Sequence, residues 1–123
     1  MIVYASRTGN VRHIVSKLQL PSIEITPDLR VHQPFIIFTY TDGLGDVPHI
    51  VATFMEKNHN YCRGIIASGN SNFGHHVFCQ SANKLSDAYK IPIIRKLELR
   101  GFQHDYDAIR DFYSKQFGAE AVR

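Results

Sequence analysis

The first fifteen residues constrain the chain most. A short apolar run at residues 2–5 breaks into Ser6-Arg7-Thr8-Gly9-Asn10, and Val11, Ile14, Val15 and Leu18 then follow at the i, i+3, i+4, i+7 spacing of one helical face. Asn10 reads as the N-cap, and Arg12, His13 and Lys17 fall away from the apolar stripe. A strand that turns sharply into a helix leaves several backbone N–H groups unpaired and aimed at one spot. The helix dipole adds positive potential there, so the spot suits a phosphate.

What the turn lacks narrows the ligand. No Lys follows the glycine, so it is not a nucleotide-hydrolysing G-x-x-x-x-G-K-[ST] loop. Nor is it G-x-G-x-x-G, so a dinucleotide pyrophosphate fits poorly. Ser6 and Thr8 offer hydroxyl donors, and Gly9 lets the backbone approach closely. These residues make a nest for one terminal monophosphate. Taken alone, the same motif is equally an ordinary strand-to-helix turn.

Downstream, the pattern repeats. Residues 22–26 alternate like a half-exposed edge strand, whereas 35–39 (Phe-Ile-Ile-Phe-Thr) are apolar on both faces, as a central parallel strand must be. A helix with Val47, Ile50, Val51, Phe54 and Met55 inward is expected to start from Asp46 as N-cap. Residues 62–68 form another two-faced strand, and a helix carrying Phe78, Ala82, Leu85 and Tyr89 inward follows. Residues 91–99 read as a last, exposed edge strand, and Asp105 opens a final helix with Ile109, Phe112, Tyr113 and Phe117. The expected fold is α/β: one domain over residues 1–123, a doubly wound, five-stranded parallel sheet of order 2-1-3-4-5 with helices on both faces. Ligands of such sheets sit beyond the carboxyl ends of the strands, at the switch between strands 1 and 3.

Composition excludes several classes. The net charge of +3 is too diffuse for nucleic-acid binding, with no run of more than two adjacent Lys/Arg. No apolar run approaches the ~20 residues needed to span a bilayer. Cys62 and Cys79 form neither CxxC nor a disulfide framework. The expectation is a soluble, cytoplasmic protein with reduced thiols. His75 and Cys79, four apart, could share a helical face, but nothing in the sequence supplies the further ligands of a metal site.

Three loops fall at the carboxyl ends of strands 1, 3 and 4. Beyond the first, residues 39–45 (Thr-Tyr-Thr-Asp-Gly-Leu-Gly) bring an aromatic face and backbone amides, and residues 68–74 (Ser-Gly-Asn-Ser-Asn-Phe-Gly) bring another aromatic face with amide side chains. A flat heteroaromatic ring with a polar edge and a phosphorylated tail matches all three, and flavin mononucleotide (FMN) is such a molecule. Core packing for Tyr40 and Phe73, and turn formation for Asn70 and Asn72, are the plainer readings.

Tyr4-x-Ser6-x-Thr8-Gly9-Asn10, Phe38-Thr39-Tyr40-Thr41 with Gly43 and Gly45 before Val47-Pro48, and Ser68-Gly69-Asn70-x-Asn72-Phe73-Gly74 together resemble the NrdI family, small flavodoxin-like proteins that serve class Ib ribonucleotide reductases. The resemblance covers about residues 1 to 117, and the third motif is its most specific part. It implies a bound FMN whose reduced form, charged by a flavin-reducing electron donor, reacts with O2. The superoxide-type oxidant then passes to the dimanganese site of the reductase's radical-generating subunit. By residue it implies phosphate binding at Ser6, Arg7, Thr8, Gly9, Asn10 and Val11. The ring would lie between Thr39, Tyr40, Thr41, Asp42 and Gly43 on one side and Ser68, Gly69, Asn70, Asn72, Phe73 and Gly74 on the other. With chemistry on the flavin, no catalytic side chain is implied. The expected redox-responsive loop is Gly43-Leu44-Gly45, because protonating a ring nitrogen asks the facing backbone to exchange an N–H for a carbonyl.

Two other readings compete. A general one-electron flavodoxin would gain from negative charge destabilising an anionic reduced flavin, and only Asp42 and Asp46 are acidic near the expected ring. A receiver-like domain would need an Asp at the end of strand 1 or 3, where Ala5-Ser6 and Phe38-Thr39 stand instead.

Overall fold

A computed structural model describes residues 1–118. Five parallel strands run in the order β2-β1-β3-β4-β5: β1 (Ile2–Tyr4), β2 (Ser22–Glu24), β3 (Phe35–Tyr40), β4 (Cys62–Gly69) and β5 (Ile93–Glu98). Helices α1 (Asn10–Leu18), α2 (His49–Asn58), α3 (Gln80–Tyr89) and α4 (Gln103–Phe117) fill the crossovers and the C-terminal side. This is the expected doubly wound sheet.

Period-2 alternation divides the interior. Phe35, Ile37, Ile65 and Ala67 join Val51, Phe54 and Met55 of α2 and Ala82 and Leu85 of α3. Ile36, Phe38 and Ile66 face the other way, onto Val11, Ile14 and Leu18 of α1 and Ile109 and Tyr113 of α4. Each layer satisfies its own polar strays. Buried Asn58 accepts from Val31 N–H at 3.0 Å and donates to Phe54 carbonyl at 2.9 Å, holding the β2–β3 connection. Asp105, also buried, accepts from Arg95 Nε and from Phe102 N–H, each at 2.8 Å. Among the described residues no helix is long and apolar enough to cross a membrane.

The starts of the helices differ from expectation. Gly9, with φ +92°, is the cap residue of α1 and brings no side chain to the task; Asn10 is the first residue of the helix. Asp46 does not cap α2. It pairs with Asp42 across the 43–45 turn, and Pro48, itself extended at φ −55° and ψ 138°, is the cap residue, so the helix starts at His49. α3 begins only at Gln80, because Cys79 sits in the left-handed region at φ +51°, so Phe78 packs from a turn rather than from the helix. Asp105 is the third residue of α4 and caps from inside, through the Phe102 N–H.

Both thiols are buried. Burial pushes Cys62 from 9.0 up to about 11 and Cys79 up to about 12. Above pH ~9 the unfolded chain releases these protons while the folded protein keeps them. Their contribution to stability is therefore complete below that pH and is lost as the pH climbs through the folded values. Urea midpoints should fall between pH 9 and 11, and Cys62→Ala should flatten that fall; parallel curves for the two proteins would refute the assignment.

Candidate functional site

Where β1, β3, β4 and β5 end, the loops enclose an open, mainly apolar cleft of about 550 Å3. Its first wall is the β1–α1 turn. Ala5 N–H still bonds Phe38 carbonyl at 3.1 Å, after which the chain leaves the sheet. The positive φ of Gly9 then turns it straight into α1. Ser6 Oγ accepts from Arg12 N–H at 3.3 Å, which leaves its own hydroxyl proton free to donate. Among the described residues the N–H groups of residues 8–11 reach no carbonyl or side-chain acceptor. Ser6, Arg7, Thr8, Asn10 and Val11 line the cleft, whereas Gly9 does not. This donor set fits a phosphate.

The second wall is a hairpin-like turn. Asp42 N–H donates to Asp46 carbonyl at 2.9 Å, and Asp42 carbonyl accepts from Gly45 N–H at 3.0 Å and Asp46 N–H at 2.7 Å. Tyr40, Thr41, Gly43 and Leu44 line the cleft. Thr39 does not: it is fully buried and donates to Tyr40 carbonyl at 2.8 Å, supporting the loop from below. Asp42 turns to Arg7, whose Nε lies 3.4 Å from Oδ1 and whose guanidinium stands 5.4 Å from the Tyr40 ring centroid. Burial, then the Asp42 charge, raises the Tyr40 phenol above its usual range, partly opposed by Arg7. Asp46 pairs with Lys84 at 3.2 Å. Both carboxylates that the sequence puts near the ring thus carry a cationic partner.

In the third wall Ser68, Gly69, Asn70 and Phe73 line the cleft, whereas Asn72 and Gly74 do not. Asn70 Oδ1 accepts from Asn72 N–H at 2.9 Å, so the asparagine shapes the single-turn 3-10 segment Ser71–Phe73 as well as facing the cleft. Phe73 is 64% exposed and Leu44 76%. Core packing does not account for Phe73.

Two lining residues lie outside the three expected loops: Val77, and Leu99 in the β5–α4 turn. Leu99 has φ +50°, unusual for a residue with a Cβ. Next to it Arg100 Nε donates to Asn10 Oδ1 at 3.3 Å, and Tyr106 OH to Arg100 carbonyl at 2.5 Å, so this turn closes the cleft against the first loop. His75 and Cys79 share no helical face, since residues 75–79 form turns; Cys79 Sγ points to Ala67 carbonyl at 3.5 Å. Among the described residues no group of three His, Cys, Asp or Glu side chains could hold a metal ion.

The family model described as NrdI Flavodoxin like matches residues 2–111. Two solved structures share the fold. A short-chain flavodoxin associated with a PDU bacterial microcompartment has TM-score 0.70 and 19% identity over 98% of this chain and 93% of that one. A mutant of flavodoxin from Pseudomonas aeruginosa has TM-score 0.56 and 18% identity over 99% of each.

The second wall makes different demands on its two glycines. Gly43, at φ +48°, occupies the left-handed region that Asn tolerates; Gly45, at φ +114°, does not, and a Cβ there would lie 3.0 Å from Gln80 Cβ. Gly45→Ala should cost about 1–3 kcal/mol in chemical unfolding, and Gly43→Asn about 1 kcal/mol or less. Equal stabilities for the two variants would contradict this geometry.

Proposed function

The chain belongs to the NrdI flavodoxin-like family, and on that premise we propose that it binds FMN in this cleft and supplies a superoxide-type oxidant. The oxidant assembles the dimanganese–tyrosyl radical cofactor of a class Ib ribonucleotide reductase, which places the protein in the cytoplasm. One observation carries the reading. Thr8, Asn10 and Val11, whose N–H groups reach no acceptor among the described residues, line a single cleft together with exposed Phe73 and with Tyr40.

When bound, FMN would supply the redox chemistry, taking electrons from a flavin-reducing donor and delivering them to O2. The chain supplies binding, orientation and charge. Residues 6–11 hold the phosphate through neutral donors, with Arg7 adding one positive charge. Residues 39–43 and 68–74 flank the ring: Tyr40 and Phe73 offer faces to it, and the Asn70 amide offers polar contact at its edge. Gly43 and Leu44 N–H groups reach no acceptor among the described residues and so remain available to the ring's carbonyl and nitrogen edge. Thr39, Asn72 and Gly74 act through the loops they shape.

The pairing of Asp42 with Arg7 and of Asp46 with Lys84 supports delivery to O2 rather than low-potential electron transfer, because neutralised carboxylates oppose an anionic reduced flavin less. Exposed Leu44, Phe73 and Leu99 rim the cleft, with Arg7 and Arg100 among them. Such a rim suits a partner subunit that meets the flavin edge and shields the oxidant in transit.

Hydrogen bonds to a charged phosphate contribute ~1.5–3 kcal/mol each, so Thr8→Val should weaken FMN binding about tenfold to a hundredfold. Riboflavin, lacking the phosphate, should bind far more weakly than FMN. Equal titration affinities for the two flavins would remove the cradle from the site.

Association with the radical-generating subunit should slow as salt rises, with dissociation changing less, because the basic rim steers an acidic partner. Stopped-flow rates that do not respond to salt would exclude steering.

A further inference from the structure

Glu98, the last residue of β5, lines no part of the cleft, yet both its carboxylate oxygens accept the Ser71 N–H, at 3.1 and 3.2 Å. Ser71 opens the 3-10 turn that ends in Phe73. The next amide, Asn72 N–H, is held from within the loop by Asn70 Oδ1 at 2.9 Å. The first two donors of the turn are thus satisfied inside the protein. What they fix is the direction in which the exposed Phe73 ring projects.

The contact continues a seam between the ends of β4 and β5. Gly69 lies beside Glu98 in the strand register. One residue on, Leu99 N–H donates to Gly69 carbonyl at 2.8 Å, and Ser68 Oγ donates to Leu99 carbonyl at 2.5 Å. The tether therefore leaves from a rigid strand end and grips an exposed loop of turn formers. A loop ordered beforehand spares a ligand the entropy of ordering it on binding.

We infer that Glu98 is a positioning residue for the third wall: its carboxylate holds residues 71–73 so that Phe73 already faces the path of a flat aromatic ligand. This rests on the flavin reading above. Glu98 acts through Ser71 and touches no ligand itself, so the hydrogen bond, more than the charge, is what matters.

Glu98→Ala and Glu98→Gln separate the two, since Gln keeps an acceptor and loses the charge. Without ligand, amide exchange at residues 72–73 should quicken about tenfold or more in the Ala variant and stay within about threefold of the parent in the Gln variant, with Ile36 and Ile66 amides unchanged. FMN affinity should fall about tenfold with Ala and largely recover with Gln. Ser71→Pro, placed after an extended Asn70 (φ −129°, ψ 111°), deletes the donor from the other side. Combined with Glu98→Ala it should add little to either single loss. Parent-like exchange in Glu98→Ala, an affinity loss in Glu98→Gln as large as in Glu98→Ala, or additive losses in the double variant would each overturn the inference. Failure of the parent protein to take up FMN would instead sink the flavin reading, and the exchange comparison would still decide whether Glu98 holds the loop.

Discussion

The site depends on central strands that are buried on both faces. Phe35 to Phe38 are fully inaccessible, and neither layer of helices can be removed without baring half of them. Parallel strands so covered must be joined by crossovers, and every crossover leaves the sheet at the same edge. At that edge the chain turns from β1 into α1 within five residues, too abruptly for the amides of residues 8–11 to find acceptors among the described residues. The cluster of amides without protein acceptors among the described residues is thus a consequence of topology.

Electrostatics at the cleft follow from pairing across loops rather than from local charge. Arg7 belongs to the first loop and Asp42 to the second, and the ion pair draws the two walls together beside Tyr40. Arg7 and Asp42 side chains are 58% and 39% exposed, so the pair contributes little to stability. Its role is local: a cation stays over the Tyr40 face while the nearest carboxylate is engaged. Lys84 does the same for Asp46 from α3.

The fold was legible because its signals are redundant. Two-faced runs at 35–39 and 62–68 and the stripe at 11, 14, 15 and 18 each name one element, and together they admit one topology. The loops rich in Gly, hydroxyl and amide residues were legible as the cleft for the same reason. Helix starts were not, because they hang on backbone states invisible in composition. Cys79 adopts a left-handed conformation, and Asp46 closes a turn where its type suggested a cap. The β5–α4 turn escaped too. Leu99 and Arg100 resemble no binding motif, and they reach the cleft through a positive φ and a bond to Asn10 from ninety residues away. Glu98 read as a solvated edge residue; only the strand register puts its carboxylate under Ser71.

The central claim is that these loops form one flavin site. Amide chemical-shift mapping during titration with FMN tests it most directly. The account predicts the largest changes at the amides of residues 8–11, with ring-current shifts around Tyr40, Phe73 and Leu99. It predicts none at the smaller pocket of Thr26, Pro27, His49, Ile50, Thr53 and Phe54. Shifts centred on that second pocket, or none at the amides of residues 8–11, would contradict it.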